Sequence, residues 1–346
     1  MPGRSWNNTL SKVAICAVLS AGALTGMAAG AGSAIAATPA MTTVIAYFNP
    51  GSADAGSLEY AQKAGLFAKY GLNVKFDYST QGGPQIIPAL VSGKVQFGEP
   101  GVEDTIVATA KGIPLEMIGA VDVAAPTGAA DWTVDLVLKN SPITSVCQLP
   151  GKSVAINSLL GLGQMYVDAD YYSAHCAGDP TDTGWKNIHF VAILFPEMLT
   201  AMERGEVSAI WTLEPFRTEN LTTGQARELA GAETGVAPGI PITAIDVSHA
   251  YLYSHPQIVR DFQLAMLAAN TYLQANPAAS RAIVGSDTAT PKPVLAKMLL
   301  PTYATAAVKP SLVDLESNFN VRFGLITKAA PLSTWVTPDP ITVANY

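Results

Sequence analysis

Basic charge is scarce in this chain. Its 20 Lys and Arg are outnumbered by 27 Asp and Glu, giving a formal net charge of −7, and charged residues of both signs make up only 14% of the 346, against roughly 25% in an ordinary soluble domain. Arg4 and Lys12 are the only charged residues among the first forty, so the remainder is more acidic than the whole. A surface of that sign repels phosphate backbones and anionic headgroups, which excludes nucleic acid as a partner. It does not restrict a small molecule in a cleft, where local groups set the field. The spacings of common catalytic centres are equally absent: no H-E-x-x-H, no C-x-x-C, no G-x-S-x-G and no G-x-x-x-x-G-K-[ST] occurs. His175, His189, His249 and His255 stand alone, and lone histidines are more often structural. No catalytic residue, metal ligand or cofactor is therefore expected. No low-complexity linker divides the chain, which favours two lobes joined by short crossings over two independent domains.

Cysteine is nearly as rare, at three residues. The N-terminus explains why one of them can be set aside. Arg4 and Lys12 form a basic flank, Val13–Leu24 is mostly apolar, and Ala34-Ile35-Ala36 is a small-x-small cleavage site, the three parts of a secretory signal peptide. Cleavage after Ala36 is expected, with an uncleaved anchor as the alternative. Cys16 sits early in the apolar run behind Ile15, which does not suit lipid attachment. Cys147 and Cys176 remain. An even pair in an oxidising compartment points to a disulfide, and two buried thiols are the alternative.

After Thr38, β-branched runs alternate with helical patterns. TTVIAYF (42–48) and LNVKFDY (72–78) read as strands around a helix over 58–71. PQIIPALVSG (84–93) reads as a short helix, VQFG (95–98) as a strand, VEDTIVATAKG (102–112) as a helix and PLEMIGAV (114–121) as a strand. A polar gap over 125–132 precedes a second series, with strands over 135–140, 187–193 and 207–212 and helices over 158–175 and 196–206. Such strand–helix–strand units predict sheets whose faces are covered by helices. The second series replays the first. PQIIPALVSGKVQFGEPG (84–101) and PEMLTAMERGEVSAIWTLEP (196–215) both run Pro, short apolar helix, Gly, charged residue, Val, strand, then Glu beside Pro. Two such sheets with facing loop edges make a cleft, and open α/β sheets bind ligands outside the carboxyl ends of their strands.

The succession YAQKAGLFAKYGLNV, GGPQIIPALVSGKVQFG, AKGIPLEMIGA, LVLKNSPITSVCQLPGKSVAIN, MLTAMERGEVSAIWTLEPF and SHPQIVRDFQLAMLAANTYLQANP resembles the periplasmic solute-binding proteins of ABC importers. The group it is most similar to handles aliphatic sulfonates, taurine, nitrate and thiamine-pyrimidine precursors. The resemblance spans about 43–329. It implies an α/β, two-lobed type II periplasmic-binding-protein fold, with two mainly parallel sheets flanked by helices and a ligand cleft between them. With the signal peptide at 1–36, lobe 1 would comprise 37–124 plus 242–346, and lobe 2 the inserted 125–241. It further implies a periplasmic monomer that captures a small-molecule ligand by hinge closure and delivers it to a membrane permease. A sensor of the same fold is one alternative. A thiamine-pyrimidine-precursor synthase is another, although the cysteine-rich segment of that related fungal enzyme is missing.

Strand-end loops supply the candidate ligand contacts. Gly82 and Gly83 open a helix, where bare backbone N–H groups suit an anionic or carbonyl-like group, and Gln85 adds a side-chain amide. Tyr47, Phe48 and Asn49 end the first strand and Glu99 the third. Ser158, Gly161 and Gly163 form the matching loop of lobe 2, and Trp211 and Glu214 end its later strand. For Trp211 the alternative is core packing. For Glu99 and Glu214 it is a helix N-terminal acid. Two carboxylates with no arginine nearer than Arg217 weaken a simple oxyanion reading, and leave room for a polar aromatic, a pyrimidine-like base or a zwitterion.

Overall fold

The computed structural model describes residues 41–126, 129–176, 183–231, 237–287 and 290–337. The expected signal peptide and its cleavage site lie outside the described residues. The β-branched and aromatic run Thr42–Phe48 forms β1, which pairs in parallel with β2 (Leu72–Tyr78) and β3 (Phe97–Gly98). Between them lie α1 (Gly56–Lys63), α2 (Leu66–Lys69) and α3 (Gly83–Val91). The single helix expected over 58–71 is two, because Gly65 adopts a left-handed φ of 68° that breaks the ladder. Helix α4 (Val102–Ala110) leads to β4 (Leu115–Val123).

A second sheet follows, built from β5 (Thr133–Leu138), β6 (Ser153–Ile156), β7 (His189–Ala192), β8 (Ala209–Leu213) and β9 (Ala226–Gly231), with α5 (Leu162–Ser173), α6 (Phe195–Glu203) and α7 (Phe216–Thr222) between them. The chain then returns through β10 (Pro241–Ser248), which inserts between β3 and β4 of the first sheet. Helices α8 (His249–Ser254), α9 (Pro256–Ala275), α10 (Pro277–Asp287) and α11 (Lys292–Lys297), edge strand β11 (Thr302–Tyr303) and helix α12 (Pro310–Phe323) complete it.

The orders are β11-β4-β10-β3-β1-β2 and β7-β6-β8-β5-β9. Both sheets are mixed. β1 to β4 share one direction and β10 and β11 oppose it; in the second sheet only β5 runs against the rest. The reversed central strands, β5 and β10, are those on which the chain enters and leaves the second sheet. The α/β architecture is the expected one, but the sheets are mixed rather than mainly parallel, because an internal crossing strand, β10 or β5, is reversed in each.

Each sheet is anchored by burial on helices. Phe97 stacks on Phe262 of α9 at 3.7 Å between centroids, and Asn270 of the same helix donates to the carbonyls of Ala120, Val121 and Ala304 at 3.0–3.2 Å. The two halves of the internal repeat superpose in kind: α3 and α6 are each followed by a glycine, Gly93 and Gly205, both at φ 73°, before β3 and β8. That left-handed residue ends the helix and releases the strand.

Cys147 and Cys176 are joined by a disulfide that closes a 29-residue separation around β6 and α5. Cross-linking a loop of that length restricts the unfolded chain by about 3–4 kcal/mol in the chain-entropy description. Urea unfolding of the reduced protein, or of a Cys147→Ser/Cys176→Ser variant, should show a loss of that order, and an unchanged midpoint would refute it.

Candidate functional site

The carboxyl ends of β1, β2, β6 and β7 meet at one place. Asn49, Pro50 and Ser52 follow β1, Thr80 follows β2, Asn157 follows β6, and Leu194, Phe195 and Pro196 open α6 after β7. Together with Phe216 they enclose a recess of about 180 Å3. It widens into an open groove of about 890 Å3 between Gln81 and Pro84 on one side and Ser158, Leu159, Leu194 and Thr200 on the other. Residues following strands of both sheets therefore line two adjoining spaces, with Asn157, Leu194 and Pro196 shared by recess and groove.

The recess is apolar at one end and polar at the other. Phe195 stacks on Phe216 at 5.5 Å, and Trp211 lies behind Phe195 at 6.1 Å. The polar end carries the amides of Asn49 and Asn157 and the hydroxyls of Ser52 and Thr80, with no charged side chain in the lining. Asn157 Oδ1 is buried without a partner. An orphaned amide oxygen of this kind is costly unless something donates to it. Turned so that its NH2 group donates, the Asn49 amide meets the carbonyls of Ser79 and Pro50 at 3.2 and 3.1 Å.

The expected contacts divide into three sets. Asn49 and Ser158 line the space directly. Gly82, Gly83, Gln85 and Gly161 shape its walls. Gln85 Oε1 accepts from Tyr47 Oη, Ser79 Oγ and the Thr80 N–H at 3.0–3.3 Å, so its amide pins the loop rather than reaching a ligand. Gly161 is the N-cap of α5.

The remaining six face elsewhere. Tyr47 and Phe48 alternate across β1, as a strand requires, and both are packed: Tyr47 against α3, Phe48 against Phe76 and Tyr78. Trp211 and Gly163 pack on one another between the second sheet and α5, where a Cβ on Gly163 would lie 2.6 Å from the indole. Glu99 is buried among Asp54, Asp122 and Glu59; burial first, and those charges second, push its carboxyl well above the usual range and favour the neutral acid. Glu214 is fully buried and bonded to Thr218, Arg217 and the Leu299 N–H, a joint rather than a ligand contact.

Sequence reasoning missed Ser52, Thr80, Asn157 and the Leu194–Pro196 segment. The internal repeat held the signal: Pro196 occupies the place of Pro84, so the start of α6 mirrors the glycine-bearing start of α3. It also missed Asp104. A Cβ on Gly83 would lie 2.1 Å from Asp104 Cγ, on Gly101 3.2 Å from Oδ2, and on Gly161 3.4 Å from Oδ1. The helix-start N–H groups of Gly101 and Gly83 favour its charged form, yet burial outweighs both and lifts the carboxyl to about 7.

Residues 53–280, well over half the chain, match the family model described as NMT1/THI5 like. The chain belongs to the NMT1/THI5-like family. No curated protein sequence matches it. Among solved structures it is similar to the alkanesulfonate-binding protein SsuA from Xanthomonas axonopodis pv. citri bound to MOPS, with 20% identity, TM-score 0.69, and 87% of this chain and 99% of that one covered. It is also similar to the periplasmic nitrate-binding protein NrtA from Synechocystis PCC 6803, at 14% identity, TM-score 0.67 and 88% and 86% coverage. The desulfurization enzyme DSZB shares the fold too, at 14% identity, TM-score 0.58 and 88% and 99% coverage. At these identities the likeness concerns the fold. Among the described residues of this NMT1/THI5-like chain, no group of three His, Cys, Asp or Glu could hold a metal ion, and no helix is long and apolar enough to cross a membrane.

Proposed function

We propose that this protein is an exported solute-binding protein, which captures a small organic solute between two lobes and presents the closed form to the permease of an ABC importer. The observation that carries this reading is the recess itself, walled by strand-end loops of both sheets. A ligand there touches both halves only when they are together, so its binding favours the closed arrangement. The lobes are taken as 37–124 plus 242–346 and 125–241, with the crossings before β5 and β10 as the hinge. The Phe195–Phe216 pair supplies a wall for a planar or apolar body, and Asn49, Ser52, Thr80 and Asn157 supply its hydrogen bonds. The recess itself is lined by no titratable side chain, with Glu197, Arg204 and Glu206 lying on the adjoining groove, which supports a binder rather than an enzyme. Export through the N-terminal segment and action as a monomer belong to the same proposal.

A thermal-shift screen of sulfonates, nitrate, taurine, pyrimidines and aromatic carboxylates tests it. A ligand at about 100 times its Kd stabilises by about 2.7 kcal/mol, and Asn157→Ala should abolish the shift. Small-angle scattering should show a smaller radius of gyration with the ligand bound. A panel without any hit, or a shift that survives Asn157→Ala, would count against the recess.

A further inference from the structure

Three helices begin around one point. Gly83 is the first residue of α3, Gly101 the N-cap of α4 and Gly161 the N-cap of α5; α3 and α4 flank the first sheet and α5 the second. Helix starts present unpaired N–H groups and a partial positive charge. Converging starts contributed by both lobes form a position suited to an anion. The glycines keep it open, since a Cβ on any of them would meet its occupant.

The occupant is the protein's own Asp104 carboxylate. A side chain that only capped α4 would need the Gly101 N–H alone. Asp104 also abuts Gly83 at the start of α3 and Gly161 at the start of α5. The position adjoins the groove on both sides, because Gln81 and Pro84 flank the glycine pair and Ser158 precedes Gly161. Ser158 points to a ligand independently. It is buried to 6% exposure, it lines the groove, and no hydrogen bond to it occurs among the described residues. Among the described residues lining the groove, the one cation is Arg204, an exposed side chain beside Glu206 at 3.9 Å.

We infer that Asp104 is a specificity-determining residue: it fills the cleft's anion position with an internal carboxylate, so that the cleft takes uncharged or cationic organic solutes and refuses sulfonate, sulfate and nitrate. This rests on the solute-binding reading above and narrows its ligand class. Above about pH 7, where the Asp104 carboxyl is charged, an incoming oxyanion would have to displace it from among the helix starts or sit beside a like charge in a partly buried space. An uncharged solute meets neither obstacle, and the recess offers it amides, hydroxyls and an aromatic wall.

The test is titration, at about pH 8 where the Asp104 carboxyl is charged, of the mature wild-type protein and of Asp104→Ala and Asp104→Ser with methanesulfonate, sulfate and nitrate, followed by thermal unfolding. Sodium chloride at matched ionic strength serves as control. Saturation at millimolar anion separates site binding from a general salt effect. The wild type should show no shift beyond that of chloride, and the variants should gain a saturable rise of about 5 °C. A saturable rise in the wild type overturns the inference, as does its absence in variants that melt cooperatively. Should neither variant fold, the wild-type arm decides, with refusal of all three anions sustaining the inference. The two readings fail separately. A wild type that binds no organic solute while the variants gain oxyanion binding defeats the panel, not the role of Asp104.

Discussion

Raising the pH from about 5 to about 9 should lower the melting temperature of this protein by about 10 °C or more, the reverse of what paired surface carboxylates produce. The cause is an unusual number of acids enclosed without cations. Burial lifts Glu103, Asp104 and Asp135 to about 7, and Asp168 and Asp246 to about 8, while Glu99, Asp122 and Glu316 are pushed well above their ordinary values. In the unfolded chain all titrate near 4. Between these limits the native state binds more protons than the unfolded state, so stability falls as pH rises. The contribution is complete below about pH 4 and is lost as pH climbs through 7 to 8, where the native acids must ionise in place. Glu103 on α4 and Glu316 on α12, both fully buried, face one another and can bond only while one keeps its proton. Asp168 isolates the effect, because desolvation alone shifts it. Asp168→Asn should match the wild type at pH 5 and exceed it at pH 9. Equal melting temperatures across the range would show that these acids reach water or a cation.

Much of the fold was legible because its signals are local. Thr42–Phe48 and Leu72–Tyr78 have the alternation and composition of strands, and both form with the expected ends. The repeat of Pro, helix, Gly and strand was visible for the same reason, since its period and its left-handed glycine are written in consecutive residues. The reversed strands β5 and β10 were not, because strand direction within a sheet is a tertiary property. The site divides the same way. That strand-end loops form it followed from topology. Which side chains on those loops face the cleft did not. Trp211 and Phe48 have the composition of ligand walls but lie on strand faces turned into the cores, whereas Phe195 and Phe216, in less conspicuous sequence, form the wall itself. In sequence Asp104 is only part of a helix, for its importance comes from Gly83 and Gly161, neighbours in space but not in sequence.

Glu214→Ala should destabilise the protein by about 3–5 kcal/mol, equivalent to a fall of about 10 °C in melting temperature. A residue at the end of β8 would be expected to touch a ligand, and its loss would then weaken binding and spare the fold. The geometry predicts the opposite order. The Glu214 carboxylate accepts from the Thr218 N–H at 3.1 Å, the Thr218 hydroxyl at 2.7 Å, the Leu299 N–H at 3.0 Å and Arg217 at 3.4 Å. Its main chain accepts from the Ala53 N–H at 3.1 Å and donates to the Trp132 carbonyl at 3.0 Å. Ala53 follows β1, Leu299 follows α11 and Trp132 precedes β5, so one residue ties the second sheet to two segments of the first half and of the return. Truncation leaves the Thr218 and Leu299 donors and the Arg217 guanidinium short of an acceptor in a site closed to water. Arg217 retains Glu228, which limits the damage on that side. Glu214→Gln separates charge from contact: it keeps one acceptor oxygen but turns an NH2 group on the remaining donors, and should lose about half as much. Urea unfolding of both variants beside the wild type checks the order. An alanine variant as stable as the wild type would return Glu214 to the list of ligand contacts, with solute affinity as the measurement to repeat on it.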